Sequence, residues 1–199
     1  MTIFCQILFL TATYLVCGIP FGLIITKFFA KKDIRQYGSG NIGATNVARI
    51  AGKKLGLITL LLDGLKGAIM IIIGRYLFAD LDYRPVLLVL IGMVAVLGHV
   101  FPIYFRFRGG KGVATTMAIL LAINPIIGGV ACLSWLITFL ISRISALASL
   151  TSVVVTMIFV ICFQRPLEEI FLILFLMIII FIRHRENIAR MLSGQEQKL

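Results

Sequence analysis

The sequence predicts an all-α integral membrane protein with seven transmembrane helices, its N-terminus outside, its C-terminus cytoplasmic, and a short fourth helix. Three observations carry that expectation. The 199 residues are 60% hydrophobic and 14% charged, with a mean hydropathy of +1.08, where soluble domains are roughly 45–50% apolar. Uncharged runs at 1–26, 85–105, 113–142 and 144–164 reach or exceed the length of one span, about 20 residues. The basic residues, 19 Lys+Arg against 8 Asp+Glu for a net charge of +11, gather in a few segments between those runs.

Residues 1–26 carry no charge and so lack the basic n-region of a secretory signal, which makes them a retained spanning helix. The next stretch, 55–78, is apolar but holds Asp63 and Lys66 three residues apart. Residues 85–105 form the third span. The run at 113–142 is too long for one helix, and Asn124-Pro125 inside it favours a turn. Its first part, 113–123, is then about 16 Å long at about 1.5 Å per residue, half a bilayer, and must be buried among its neighbours. Residues 144–164 and 167–182 complete the set, the last opening with Glu168 and Glu169.

Membrane orientation follows the Lys and Arg of short loops. With a turn at Asn124-Pro125, all 19 lie on the cytoplasmic side except Arg75, Arg84 and Arg165 outside and Lys66 within a span. Reading 113–142 as a single helix mixes the two sides. The whole chain, 1–199, is expected to form one membrane-embedded domain, with its site on the cytoplasmic face and the lipid bilayer as its surroundings.

Such a chain has little wet surface for a duplex, so no nucleic acid partner is expected. The basic loops suit lipid headgroups or an anionic substrate. Cys5, Cys17, Cys132 and Cys162 all lie in apolar runs without metal-ligand spacing and read as packing residues. No cofactor is expected and no metal, since the loops lack a carboxylate cluster. Gly38-x-Gly40-x-x-Gly43 has the spacing of a dinucleotide fingerprint but no buried strand before it. Gly110-Lys111-Gly112 lacks the Ser/Thr and the upstream glycine of a P-loop.

Three segments concentrate the remaining polar chemistry, all cytoplasmic in the seven-span topology: 37–49, 99–116 and 183–190. Glycines let backbone N–H groups approach a ligand, hydroxyls and amides add donors, and Arg or Lys supplies charge, a combination suited to phosphate. The first segment contributes Gly38, Ser39, Gly40, Asn41, Gly43, Thr45, Asn46 and Arg49. The second contributes Gly109, Gly110, Lys111 and Gly112, leading into the short helix, whose N-terminus favours an anion. The third contributes His184 and Asn187, expected on one face of the last helix at i, i+3. Arg49 and Lys111 are the cations best placed for phosphate.

These segments resemble the three cytoplasmic motifs of the bacterial acyl-phosphate:glycerol-3-phosphate acyltransferases, the PlsY family. The run Gly38 to Arg49 is similar to the first motif. Gly98-His99-Val100-Phe101-Pro102-Ile103-Tyr104 with Gly109 to Thr115 is similar to the second, and Arg183 to Ile188 to the third. The resemblance covers nearly the whole chain. It implies transfer of a fatty acyl group from acyl-phosphate to the sn-1 hydroxyl of glycerol 3-phosphate, giving lysophosphatidic acid and phosphate, the first step of phospholipid biosynthesis. It also implies Ser39, Arg49 and Lys111 as phosphate contacts, with His184 and Asn187 beside them as catalytic candidates. Transient contact with a soluble enzyme that forms acyl-phosphate is expected, and a monomer.

Residue inventory fits that chemistry. Neither His99 nor His184 has an Asp five residues on, the pairing of thioester-dependent acyltransferases, and no Ser-His-Asp order stands out. An acyl-phosphate is already activated, and its leaving phosphate can take the proton of the attacking hydroxyl, so no covalent acyl-enzyme is expected and the protein's task is to position two phosphates. Two residues and one pair keep two readings each. Ser145 either caps a helix or joins the site, His99 either packs or acts in catalysis, and the Asp63/Lys66 pair either forms an ion path or braces the site from below. A small anion transporter would spread polar residues over both membrane faces and repeat between halves. Neither pattern occurs here.

Overall fold

The computed structural model describes residues 2–198. Within them the protein is helical throughout, with no strand: α1 (Ile3–Cys17), α2 (Phe21–Phe29), α3 (Ala44–Ala51), α4 (Lys53–Leu77), α5 (Arg84–Val100), α6 (Val113–Ile123), α7 (Pro125–Ser142), α8 (Ser145–Cys162), α9 (Leu167–Arg183) and α10 (Arg185–Leu192). Among the described residues, five helical segments are long and apolar enough to cross a membrane: Ile3–Phe29, Lys53–Leu77, Arg84–Phe105, Pro125–Ser142 and Ser145–Cys162. The apolar helices α6 and α9, of 11 and 17 residues, are shorter. Large apolar side chains such as Phe4, Phe28, Ile126 and Ile141 stay exposed on the outside of the bundle, as a lipid-facing surface requires.

The expected continuous first helix is broken. The chain bends at Gly18-Ile19-Pro20, because Pro20 lacks the N–H that would continue the ladder. At the bend the Ile19 carbonyl accepts from the Phe21 N–H at 3.2 Å and from Lys66 Nζ at 2.8 Å.

Asn124-Pro125 ends α6 as expected. The Asn124 side chain accepts from the N–H groups of Ile126 and Ile127 at 3.1 and 3.4 Å, capping α7, with Pro125 at its first position. Small residues bring α6 close to α4: a Cβ on Gly67 would stand 2.9 Å from Thr115 Cγ2, and one on Gly64 3.2 Å from the Cβ of Ala118. Arg75, in the last turn of α4, donates to the carbonyls of Ala122 and Ile123 at the C-terminal end of α6, where a cation is favoured. So α6 is fixed at both ends, and its N-terminus faces the polar loops. The main core, with Phe78, Ile91, Val96, Ile119 and Leu176 buried, fills the bundle beneath it.

Candidate active site

The first polar loop is built by Asn46, an α3 residue only 2% exposed. Its Oδ1 accepts from the Ser39 N–H at 3.2 Å, while its Nδ2 donates to the carbonyls of Tyr37 and Asn41 at 3.0 and 2.9 Å. Gly38 has φ +59°, and a Cβ there would collide with the Asn46 amide. Asn41 Oδ1 accepts from the Gly43 N–H at 2.9 Å. Beneath the loop Leu23, Ile34, Ile42 and Val47 form a small buried cluster. A short helix that had no sequence signal, α3, thereby presents Thr45, Asn46 and Arg49.

The second loop is held against the end of α5. Gly109 N–H donates to the Val100 carbonyl at 3.0 Å, Gly110 N–H to the His99 carbonyl at 3.2 Å, and Arg183 Nη2 to the Gly109 carbonyl at 3.0 Å. A Cβ on Gly110 would fall on the His99 imidazole, and one on Gly109 on the His99 carbonyl. Gly112, with φ +87°, turns the chain into α6. Lys111 is thus pinned on both sides. Asp63 touches both anchors: its carbonyl accepts from Thr115 Oγ1 at 2.8 Å, and its carboxylate lies 3.7 Å from His99 Nδ1 while accepting from Lys66 Nζ at 2.8 Å. The 3.7 Å gap is too long for a hydrogen bond, so His99 and Asp63 pack together without forming a base dyad. His99 packs against the glycine loop, and Asp63 pairs with Lys66 beside it.

The third segment is not one helix face. The chain breaks at His184, between α9 and α10. Buried His184 places Nδ1 2.8 Å from the Ile180 carbonyl, which assigns the proton to Nδ1 and leaves Nε2 as an acceptor. Burial, and after it the nearby Lys111 charge, lowers the His184 pKa to about 4. Asn187 Oδ1 accepts from Lys111 Nζ at 2.5 Å. Burial also lowers the Lys111 pKa to about 8, with the Glu196 charge opposing the shift.

These segments enclose two adjoining cavities of about 180 and 210 Å³. Ser39, Asn41 and Lys111 line both. The first also meets Gly43, Thr45, Asn46, Arg49, Gly112, Ser145, His184 and Asn187, then runs along Leu60, Val113, Met117, Trp135 and Ala146. The second is walled by Arg183, Arg185, Arg190 and Glu186. Gly38, Gly40, Gly109 and Gly110 line neither. At Gly38, Gly109 and Gly110 the missing Cβ makes room for protein. The Ser145 side chain makes no cap, and its Oγ pairs with Thr45 Oγ1 at 3.0 Å. Arg49 Nη2 donates to the Gln197 carbonyl at 2.9 Å, and its buried Nε has no partner among the described residues.

Two carboxylates from outside the three polar segments, Asp63 and Glu196, line the first cavity. Asp63 comes from a span, visible in sequence only as a charge out of place. Glu196 comes from a polar tail that carries no motif; it accepts from Asn187 Nδ2 at 2.6 Å and Arg190 Nε at 2.7 Å. The enclosure therefore offers fixed cations and neutral donors around a space that is basic at one end and apolar at the other. It can hold a phosphate-bearing molecule against one with a hydrocarbon chain.

Residues 7–194 match the family model described as glycerol-3-phosphate acyltransferase. The chain is 47% identical over 186 residues to a glycerol-3-phosphate acyltransferase of Caulobacter vibrioides, covering 94% of this chain and 84% of that protein. It is 44% identical over 187 residues to one from Pelagibacter ubique, with 94% of each covered. Its fold is similar to the crystal structure of PlsY, an integral membrane glycerol 3-phosphate acyltransferase, in its glycerol 3-phosphate form. The TM-score is 0.90 at 38% identity, over 98% of this chain and 96% of that one. The lysophosphatidic acid form gives a TM-score of 0.87 at 37% identity, covering 98% and 95%.

Proposed function

The chain belongs to the glycerol-3-phosphate acyltransferase family, and from that premise we propose that it moves a fatty acyl group from acyl-phosphate to the sn-1 hydroxyl of glycerol 3-phosphate. The observation that carries this reading is Lys111, shared between an apolar-walled cavity and a basic one. The acyl chain lies along Leu60, Met117 and Trp135, and the water-soluble acceptor enters past Arg183, Arg185 and Arg190. Ser39, Asn41 and Lys111 stand where the two phosphates meet.

In the reaction the hydroxyl oxygen attacks the acyl carbonyl carbon, the bond from that carbon to the phosphate oxygen breaks, and the proton passes to the departing phosphate. Lys111 and Arg49 balance the charge of the two anions, a contribution that grows as the leaving phosphate gains charge. Positioning does the rest. A histidine whose pKa is held to about 4 is a poor base, so His184 accepts a hydrogen bond from the acceptor's hydroxyl through Nε2. Ser145 is paired with Thr45 rather than with a histidine, which supports direct transfer without an acyl-enzyme. The site residues assigned here are Ser39, Arg49, Lys111, His184 and Asn187, with Asn41, Gly43, Thr45, Asn46, Gly112 and Ser145 around the phosphates.

The proposal includes seven embedded helical segments, with α1 entering from outside, α9 emerging in the cytoplasm of a bacterial inner membrane, and the site on that face. Its test is phosphate release by detergent-solubilised protein given acyl-phosphate and glycerol 3-phosphate. Release that needs both substrates and yields lysophosphatidic acid is the expected result. Lysophosphatidic acid formed from acyl-CoA as the sole donor, with CoA rather than phosphate released, would replace the donor assignment.

A further inference from the structure

The segment between α5 and the glycine loop takes no part in the reaction described above. Residues 103–108 fold back where the apolar stretch Arg84–Phe105 ends. Ile103–Phe105 make one 3-10 turn, and the Phe107 N–H closes the fold-back on the Pro102 carbonyl at 3.0 Å. Phe105 packs on the cluster of Leu23, Ile34, Ile42 and Val47. The Tyr104 ring lies beside Gly18, where a Cβ would stand 3.2 Å from Cε2, so the segment runs alongside the bend between α1 and α2. Arg106 and Phe107 have φ +50° and +61°, a left-handed backbone that is unfavourable for a bulky residue. No burial offsets it: Arg106, Phe107 and Arg108 are exposed, as are Ile103 and Tyr104. The two arginines are also unpaired. Among the described residues neither meets a carboxylate, and no Asp or Glu occurs between Asp82 and Glu168.

Strain that yields no packing inside the protein points to a contact outside it. Three exposed apolar side chains beside two unpaired arginines, continuous with a stretch able to cross a membrane, fit the boundary between lipid chains and headgroups. We propose that residues 103–108 form a binding surface for anionic phospholipid: Ile103, Tyr104 and Phe107 enter the boundary region, and Arg106 and Arg108 take headgroup phosphates. The helix pair at the neighbouring bend exposes Leu15, Val16 and Ile24, which favours lipid over an acidic soluble protein as the occupant. The contact reaches the site through the chain itself. Arg108 is followed by Gly109, whose N–H donates to the Val100 carbonyl at 3.0 Å, and then by Gly110 and Lys111. A held surface steadies the loop that presents Lys111, and in that coupling the inference rests on the function proposed above.

Two arginines near an anionic surface weigh about ten- to thirty-fold in lipid preference. The test reconstitutes the full chain in vesicles of equal phosphatidylcholine and phosphatidylglycerol, with brominated chains on one lipid or the other to quench tryptophan fluorescence. Phe107→Trp is read against wild type, whose one tryptophan is Trp135. The added signal should be quenched with phosphatidylglycerol favoured by about ten-fold or more, and the preference should collapse when Arg106→Gln and Arg108→Gln are added. Absence of quenching by either lipid overturns the proposal and leaves the surface to a soluble protein. Equal quenching by both lipids, or a preference that survives loss of the arginines, overturns it as well. The coupling is read as kcat at saturating acceptor, where repulsion of an anionic substrate by the surface does not enter. Wild type should turn over about three-fold or more faster in the mixed vesicles than in phosphatidylcholine alone, and the double arginine variant equally in both. Equal wild-type rates overturn the coupling. Absence of acyl transfer in every vesicle removes the acyltransferase reading, and the quenching alone then decides the lipid contact.

Discussion

Lys66 is buried and Lys111 half-buried, yet the two lysines are wired in opposite ways. Lys66, in α4, has a full set of partners: the Asp63 carboxylate at 2.8 Å, the Ile19 carbonyl at 2.8 Å and the Phe21 ring at 5.6 Å. Among the described residues Lys111 has one neutral hydrogen-bond partner, Asn187, and it faces two cavities. The first arrangement spends its charge inside the fold. The second keeps a charge in reserve for a ligand, and burial lowers its pKa to about 8 because nothing in the protein fully compensates it. Burial alone does not mark a functional cation; incomplete pairing beside a cavity does.

If that contrast holds, substitutions at the two lysines fail differently. Lys111→Ala should lower kcat by about 10²-fold or more while leaving the melting temperature of the solubilised protein near wild type. Lys111→Arg should restore only part, since a planar guanidinium does not replace a compact ammonium between Gly110 and Gly112. Near-normal turnover in Lys111→Ala would erase the distinction. Lys66→Ala should instead act on the fold, leaving Asp63 buried and unpaired at a cost of about 3–5 kcal/mol. Thermal melts should show it, and the double change Lys66→Met with Asp63→Asn should recover much of the stability. A normal melt with low kcat would move Lys66 into the site.

The same contrast sets a pH dependence. Below pH 8 Lys111 is an ammonium and above it an amine, so kcat/KM should fall as pH rises through about 8. Bound phosphate favours the ammonium, so the limb in kcat should lie at higher pH. In Lys111→Arg the alkaline limb should vanish from kcat/KM, and its survival there would assign it to another group. The smallest effect is expected at His184. With a pKa near 4 it stays neutral across the working range, so His184→Gln should keep a measurable part of kcat and the acidic limb of wild type. Loss of that limb would make His184 the base.

Motif and period made much of this legible beforehand. The turn at Asn124-Pro125, the short α6, and the convergence of Ser39, Arg49, Lys111, His184 and Asn187 on one enclosure follow from hydropathy, turn chemistry and three polar segments. The break at Gly18-Ile19-Pro20 was missed because the run is uniformly apolar. It matters because the Ile19 carbonyl at the bend accepts from Lys66.

By itself, then, the amino-acid sequence determined a helical membrane chain and which residues carry its polar chemistry, since both depend on composition and short-range pattern. Tertiary structure alone decided how each residue is used. Gly109 and Gly110 make room for His99, Asn46 stitches the loop that holds Ser39, Ser145 pairs with Thr45 across 100 residues, and Glu196 folds back onto Asn187 and Arg190. Each of these depends on groups brought within a few ångströms by the packing of helices distant in sequence or by a turn with no strong local signal. Only a folded chain fixes which charges are neutralised and which are left for a ligand.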